Sequence, residues 1–230
     1  MKRVAAPQPR SRGRPREFDE TKALDRALEV FWRLGYEGAS VADLTQAMGI
    51  TPPSLYGAFG SKAGLYERAL ARYQSEQGAY TRRILEEEPT VRGALERLLR
   101  ESARNFTRRK HATGCMISTA VLRCAEENQP VADLVAGLRG EALGALEARV
   151  ARGIQEGELP PGTDAEALAR FVGALIQGMS VQARDGATEA QLVGLVEVAL
   201  RAWPGGGGRP RAGGGAPAPR KEEVPANPAG

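Results

Sequence analysis

The sequence predicts an all-α protein, with a three-helix N-terminal domain joined by a long fourth helix to a C-terminal helical body. Three observations carry this. Apolar residues recur at helical spacing through most of the chain. Ser, Thr or Asp stands just before most of those runs, where a helix start needs an acceptor for its free N–H groups. Runs of β-branched residues are nearly absent, which disfavours sheets.

The elements follow in order. Asp19 opens a helix whose stripe is Leu24, Ala27, Leu28, Phe31 and Leu34, and Gly35 closes it. Ser40 caps a second helix, with Asp43 at the third helical position as in a capping box; Gly49 ends it after Leu44 and Met48. Thr51 caps a third, with Pro52 at its first position, where a missing N–H costs nothing; it ends near Gly60. Ser61 caps a fourth, long helix bearing Leu65, Leu70 and Tyr73. Beyond Pro89, Leu95, Leu98, Leu99 and Phe106 mark a helix, and Met116–Cys124 suggests a short one. Pro130 starts a longer one through Leu134, Leu138, Leu146, Val150 and Ile154, broken by Gly157–Gly162. Asp164 opens a helix carrying Leu168, Phe171, Val172, Leu175, Ile176 and Met179. After the Asp185-Gly186 turn, the last helix carries Leu192, Leu195, Val196, Ala199, Leu200 and Trp203.

Composition narrows the function. At 42% hydrophobic and 26% charged, the 230-residue chain matches ordinary soluble globular proteins. The net charge of +4 is unevenly spread. Lys2, Arg3, Arg10, Arg12, Arg14 and Arg16 precede the first acid, the tail beyond Pro204 is also basic, and the middle is net acidic. A basic arm on an acidic body suits a polyanion. The division expected is a flexible arm over 1–17, a three-helix domain over 18–62, a helical body over 63–203 and a disordered Pro/Gly-rich tail over 204–230. No apolar stretch follows the basic start, so no signal peptide is expected. Phe171–Val181 is about half the length needed to span a bilayer. The expected location is cytoplasmic, with no membrane partner.

The second and third helices are joined by the tight turn Gly49-Ile50, the spacing of a helix-turn-helix. At about 100° per residue, Leu55 and Phe59 share one face of the third helix and should pack on Leu44, Met48 and Ile50. Pro53 and Gly57 point the other way, flanked by Ser54 and Tyr56. That outer face is small and free of acids, which suits entry into a major groove about 12 Å wide.

At this point the chain resembles a known family. Asp19–Tyr73 is similar to the DNA-binding domain of TetR-type repressors. The resemblance lies in Ala27-Leu28-Glu29-Val30-Phe31, Gly35-Tyr36-Glu37-Gly38-Ala39-Ser40-Val41, Leu44-Thr45-Gln46-Ala47-Met48-Gly49-Ile50 and Ser54-Leu55-Tyr56-Gly57-Ala58-Phe59-Gly60-Ser61-Lys62. One departure is Ala58, where many members have histidine. The resemblance implies that Tyr56 and Lys62 contact phosphates and that Thr45 touches the DNA backbone. It places Thr51, Pro52, Pro53 and Ser54 at base edges. The prolines cannot donate, so Thr51 and Ser54 are the best candidates for direct readout. Arg12, Arg14 and Arg16 are expected at the minor groove or adjacent phosphates.

The resemblance further implies a homodimer through the last two helices, binding double-stranded operator DNA, and a small-molecule effector held inside the body. Phe106, Cys115, Met116, Leu175 and Met179 are candidate pocket residues. The Gly114-Cys115 segment and the final helix pair also look similar to a subgroup containing a copper-stress repressor. His111, Cys115, Met116 and Cys124 raise a metal or redox sensor. Nine residues on one continuous helix put the two cysteines about 180° apart, so no metal site is expected. No cofactor is expected either. One histidine, no phosphate-binding Gly-rich loop and no nucleophile elbow argue against an enzyme. A non-specific architectural protein or an activator is the other rival, separable by the ratio of specific to random-site affinity at fixed salt.

Overall fold

Most helix starts are fixed locally, by a side chain just ahead of each. The computed structural model describes residues 18–108 and 112–204. In α1 (Glu20–Gly38), Asp19 accepts from the Lys22 N–H at 3.1 Å. The regular helix stops at Gly35, whose φ of 74° and ψ of 174° lie where a Cβ is strained. α2 (Val41–Met48) opens on a full capping box, with reciprocal Ser40 and Asp43 bonds of 3.0 Å. The Ser40 hydroxyl, and then its backbone N–H, hold the Asp43 carboxyl below the usual carboxylate range. Gly49 ends α2 in the left-handed region. α3 (Pro52–Phe59) and α4 (Lys62–Ser75) start at Thr51 and Ser61, whose side chains accept from Ser54 and Gly64.

α5 (Tyr80–Glu87) is a helix that sequence reading missed. It has no side-chain cap, and its apolar face is short: Ile84 and Leu85 are buried, with Tyr80 packed beside them. α6 (Val91–Phe106) starts at Thr90. The expected short helix over Met116–Cys124 is instead a run of turns with Val121 at φ 47°. Its carbonyls are claimed from outside, because the Arg139 guanidinium donates to Ile117 and Ala120 at 3.3 and 2.9 Å. The helical phase relation between Cys115 and Cys124 therefore lapses. A 3-10 turn at Glu126–Asn128 leads into α7 (Gln129–Gln155). α8 (Ala165–Arg184) is capped by Asp164, and α9 (Glu189–Arg201) by a Thr188/Gln191 capping box. Among the described residues no helix is long and apolar enough to cross a membrane.

Two apolar cores result. The first joins α1–α4 and is closed by Met116, Val131 and Val135 from further along the chain. The second joins α5, α6, the end of α7, α8 and α9, with Trp203 at its edge. Two expected stripe residues turn outward: Leu34 and Phe171 are each 42% exposed. In α1 the buried face instead takes in Val30, Trp32 and Tyr36.

One buried charge ties the second core together. Arg149 on α7 is almost wholly buried and donates to the Glu88 and Pro89 carbonyls at 3.3 Å and to Glu158 at 3.5 Å. Glu158 also accepts from the first N–H of α6, at Val91, at 2.5 Å. Removing one partner would strand the other charge in the interior, which costs about 3–5 kcal/mol. Glu158→Ala is expected to lower the Tm by several degrees in calorimetry, whereas Arg149→Met combined with Glu158→Leu should recover most of the loss. A Glu158→Ala protein that melts like the parent would refute this role.

Candidate nucleic-acid interface and cavity

An eight-residue helix is unstable alone, so α3 is held by what it buries. Leu55 is fully buried and Phe59 nearly so, against Leu44, Met48 and Ile50. This leaves Thr51, Pro52, Pro53, Tyr56 and Gly57 exposed on the other side, with Ser54 half-buried between the two faces. The Thr51 and Ser54 hydroxyls lie 3.0 Å apart, so each has a partner within the helix start. Tyr56 is 49% exposed and projects from a face with no acid.

The surrounding arginines are committed elsewhere. Arg68 sits over the Phe59 ring at 4.6 Å, pairs with Glu20 at 3.1 Å and donates to the Ala58 carbonyl. Arg26 donates to the Ala47 carbonyl near the end of α2. Arg72 bridges Asp25 and Glu76. Lys62, at the first position of α4, rests its ammonium 4.4 Å from the centre of the Tyr36 ring. Partial burial there pushes the Lys62 pKa down, opposed by the nearby Glu37 carboxylate.

Thr45 corrects an expectation. It is only 7% exposed, and its hydroxyl donates back along α2 to the Val41 carbonyl at 2.8 Å and the Ala42 carbonyl at 3.2 Å. A phosphate accepts hydrogen bonds, and this hydroxyl has no free proton to give. The sequence signal was available: threonine in a helix readily back-bonds to its own preceding turn. Arg12, Arg14, Arg16 and His111 lie outside the described residues.

A cavity of about 280 Å³ lies where α1, the end of α4, α5 and α6 meet. Trp32, Tyr73, Tyr80 and Phe106 supply rings to its wall; Glu76, Gln77, Arg83, Glu101, Asn105 and Arg108 supply polar groups. Of the pocket residues expected from sequence, Phe106 lines this cavity. Cys115 sits behind the wall, accepting from the Tyr73 hydroxyl at 3.4 Å, while its own N–H donates to Ser180 Oγ. Met116 is buried in the first core, Met179 is buried in the second, and Leu175 packs against the second. These three fill cores and do not line this cavity, because their helical or turn positions face packed apolar neighbours. Sequence reading missed Trp32, whose indole donates to the Gly114 carbonyl at 3.1 Å. Gly114 is held at φ 78°, and a Cβ there would come within 2.8 Å of the Ser180 carbonyl oxygen. Burial raises the Tyr73 and Tyr80 pKa values, so both phenols stay neutral through physiological pH.

This arrangement can be set beside known proteins. Residues 23–69 match the model for bacterial regulatory proteins of the tetR family, and residues 93–193 match that for a tetracyclin repressor-like C-terminal domain. The HTH-type transcriptional repressor ComR of Escherichia coli (strain K12) is 34% identical over 196 residues, spanning 85% of this chain and 93% of its own length. BdcR, another HTH-type transcriptional repressor of that strain, is 32% identical over 85% of this chain and 94% of its own. Among solved structures, a cysteine mutant of the TetR family transcriptional regulator CifR, complexed with a 26 bp double-strand operator DNA, is 46% identical. It superposes with a TM-score of 0.80 over 83% of this chain and 100% of its own. With both domain types matched in order and relatives aligned over nearly their full length, the chain belongs to the TetR family of bacterial regulatory proteins.

Proposed function

We propose that this chain is a sequence-specific transcriptional repressor that binds operator DNA as a homodimer and leaves it when a small molecule binds. The observation that carries the reading is the acid-free outer face of α3, held rigid from behind by Leu55 and Phe59. Two relatives are named as repressors, and the CifR mutant is in complex with operator DNA. Residues 18–62 then form the reading head and 63–203 the body, with the stretches over 1–17 and 204–230 outside both.

In this reading Tyr56 donates its exposed hydroxyl to a phosphate. Lys62 swings from Tyr36 to another, helped by the free N–H groups at the start of α4. Pro52 and Pro53 offer no donors, so base reading falls to Thr51 and Ser54 and to shape and thymine methyl contacts. Arg12, Arg14 and Arg16 add phosphate or minor-groove contacts; that part rests on the sequence. Few base contacts and many phosphate contacts make affinity strongly dependent on salt.

Dimerisation through α8 and α9 is supported by what one chain leaves uncovered. Phe171, Val181 and Val198 are 42%, 45% and 59% exposed, and Ala174 and Gly194 beside them are also exposed. A second copy would bury this face by two-fold symmetry and space two reading heads about 34 Å apart, one turn of DNA. The effector would sit in the cavity beside Trp32 and favour a spacing of the heads that DNA does not accept. The family is one of regulators, and no catalytic role is proposed.

Four outcomes check this reading. Tyr56→Phe is expected to weaken operator binding about tenfold or more, the value of a hydrogen bond to a charged group. Lys62→Ala should lower the slope of log affinity against log salt by about one. Both are read by fluorescence anisotropy against specific and random duplexes, and unchanged affinity in both variants would reject the reading. Thr45→Val should change affinity by less than about twofold, since its hydroxyl proton is already used. Phe171→Asp with Val198→Asp should sediment as a folded monomer and bind half-sites only weakly; a dimer that survives both charges excludes the α8–α9 interface.

A further inference from the structure

We propose that the cavity beside Trp32 takes a small aromatic anion that also carries a hydrogen-bond donor. The inference rests on the effector reading above and adds the chemical class of the ligand. Size comes first. At about 280 Å³ the space lies near the lower bound of pockets that enclose small molecules, so the ligand is compact. Its wall carries the rings of Trp32, Tyr73, Tyr80 and Phe106, which favour a flat aromatic body.

Charge is decided by which lining groups are already paired. Glu76 shares Arg72 with Asp25, and Glu101 shares Arg97 with Glu88, so both carboxylates already sit in ion-pair networks. Arg83 and Arg108 line the same cavity, and neither is in an ion pair among the described residues. Two uncommitted guanidiniums at one opening suit a carboxylate, which they can bind through paired N–H donors. The phenols add no opposing charge. The Tyr73 hydroxyl is used on Cys115, and the Tyr80 hydroxyl lies 3.1 Å from Ser102 Oγ.

The donor follows from an orphan acceptor. Gln77 lines the cavity, and its Oε1 is buried with no hydrogen-bond partner. Buried acceptors left unpaired are rare and costly. An O–H or N–H on the ligand would give this oxygen its missing partner. The ligand is thus satisfied at two ends: an acceptor end at Arg83 and Arg108, and a donor end at Gln77.

The test is calorimetric titration of the full-length chain with 4-hydroxybenzoate, benzoate and 4-hydroxybenzyl alcohol. The expected order places 4-hydroxybenzoate first, with the neutral alcohol and the donor-less benzoate each about tenfold weaker, the value of one good charged or buried hydrogen bond. Arg83→Gln with Arg108→Gln should erase the advantage over the alcohol and leave alcohol binding unchanged. Gln77→Met should erase the advantage over benzoate and nothing else. These selectivity ratios are internal to each variant, so modest loss of stability does not mimic them. Equal binding of all three compounds, binding of none, or ratios untouched by the substitutions overturns the inference. Operator binding by the same ligand-free preparation separates the two readings. If operator binding is intact, only the ligand class is lost; if the protein binds no operator, the repressor reading itself fails.

Discussion

Everything in this fold depends on α1 being buried from two sides. On one side Phe31 packs edge-on against Tyr66 at 4.8 Å and joins Leu24, Ala27 and Leu28 in the core behind α2, α3 and α4. On the other, Trp32 meets Tyr73 at 5.0 Å and gives its indole N–H to the Gly114 carbonyl. A buried indole without an acceptor would be unfavourable, so this bond fixes the loop after α6 against the first helix. Residues one step apart on α1 thus serve the reading head and the body, and neither can be repacked alone.

The same helix makes further polar contacts with the body. The Arg184 guanidinium of α8 donates to the Arg33 carbonyl at 3.3 Å. Glu37 accepts from the Ala125 N–H at 3.2 Å and from the Asn128 amide at 2.9 Å. The loop before α7 and the end of α8 therefore both lean on α1. Because Trp32 and Gly114 also line the cavity, a molecule inside it would touch the reading head's own helix, with no chain of intermediates. Packed elements of this kind switch between discrete arrangements and do not deform smoothly, and only a difference in affinity between those arrangements can bias them.

Much of this was legible in the sequence because helix boundaries are written in short-range chemistry. Ser40 with Asp43, Thr51 with Pro52, and the left-handed Gly49 each fix an end from within a few residues. The face of α3 followed from the periodicity of Leu55 and Phe59. What escaped had no local signature. α5 lacks a cap and has only a short apolar face, and in the turns over Met116–Cys124 two carbonyls, Ile117 and Ala120, accept from Arg139, distant in sequence. Thr45, expected at the DNA backbone, faces inward, with its hydroxyl back-bonded to Val41. The cavity was placed by apolar residues such as Met179 and Leu175, which fill cores; its actual wall mixes rings with polar groups from four separate elements. Only tertiary contact brings Trp32 and Gly114 together, across 82 positions of sequence.

The side-chain caps at Asp19, Ser40, Thr51, Ser61, Thr90, Asp164 and Thr188 have a kinetic consequence. Each defines where a helix begins without waiting for distant partners. The unfolded chain already favours the native starting points, so collapse searches over the docking of ready segments and not over their register. Chains rich in such short-range contacts fold quickly. No side-chain cap marks the start of α5 or of α7. Those two starts flank the stretch that closes on α1, so its placement rests on tertiary contacts and not on local capping.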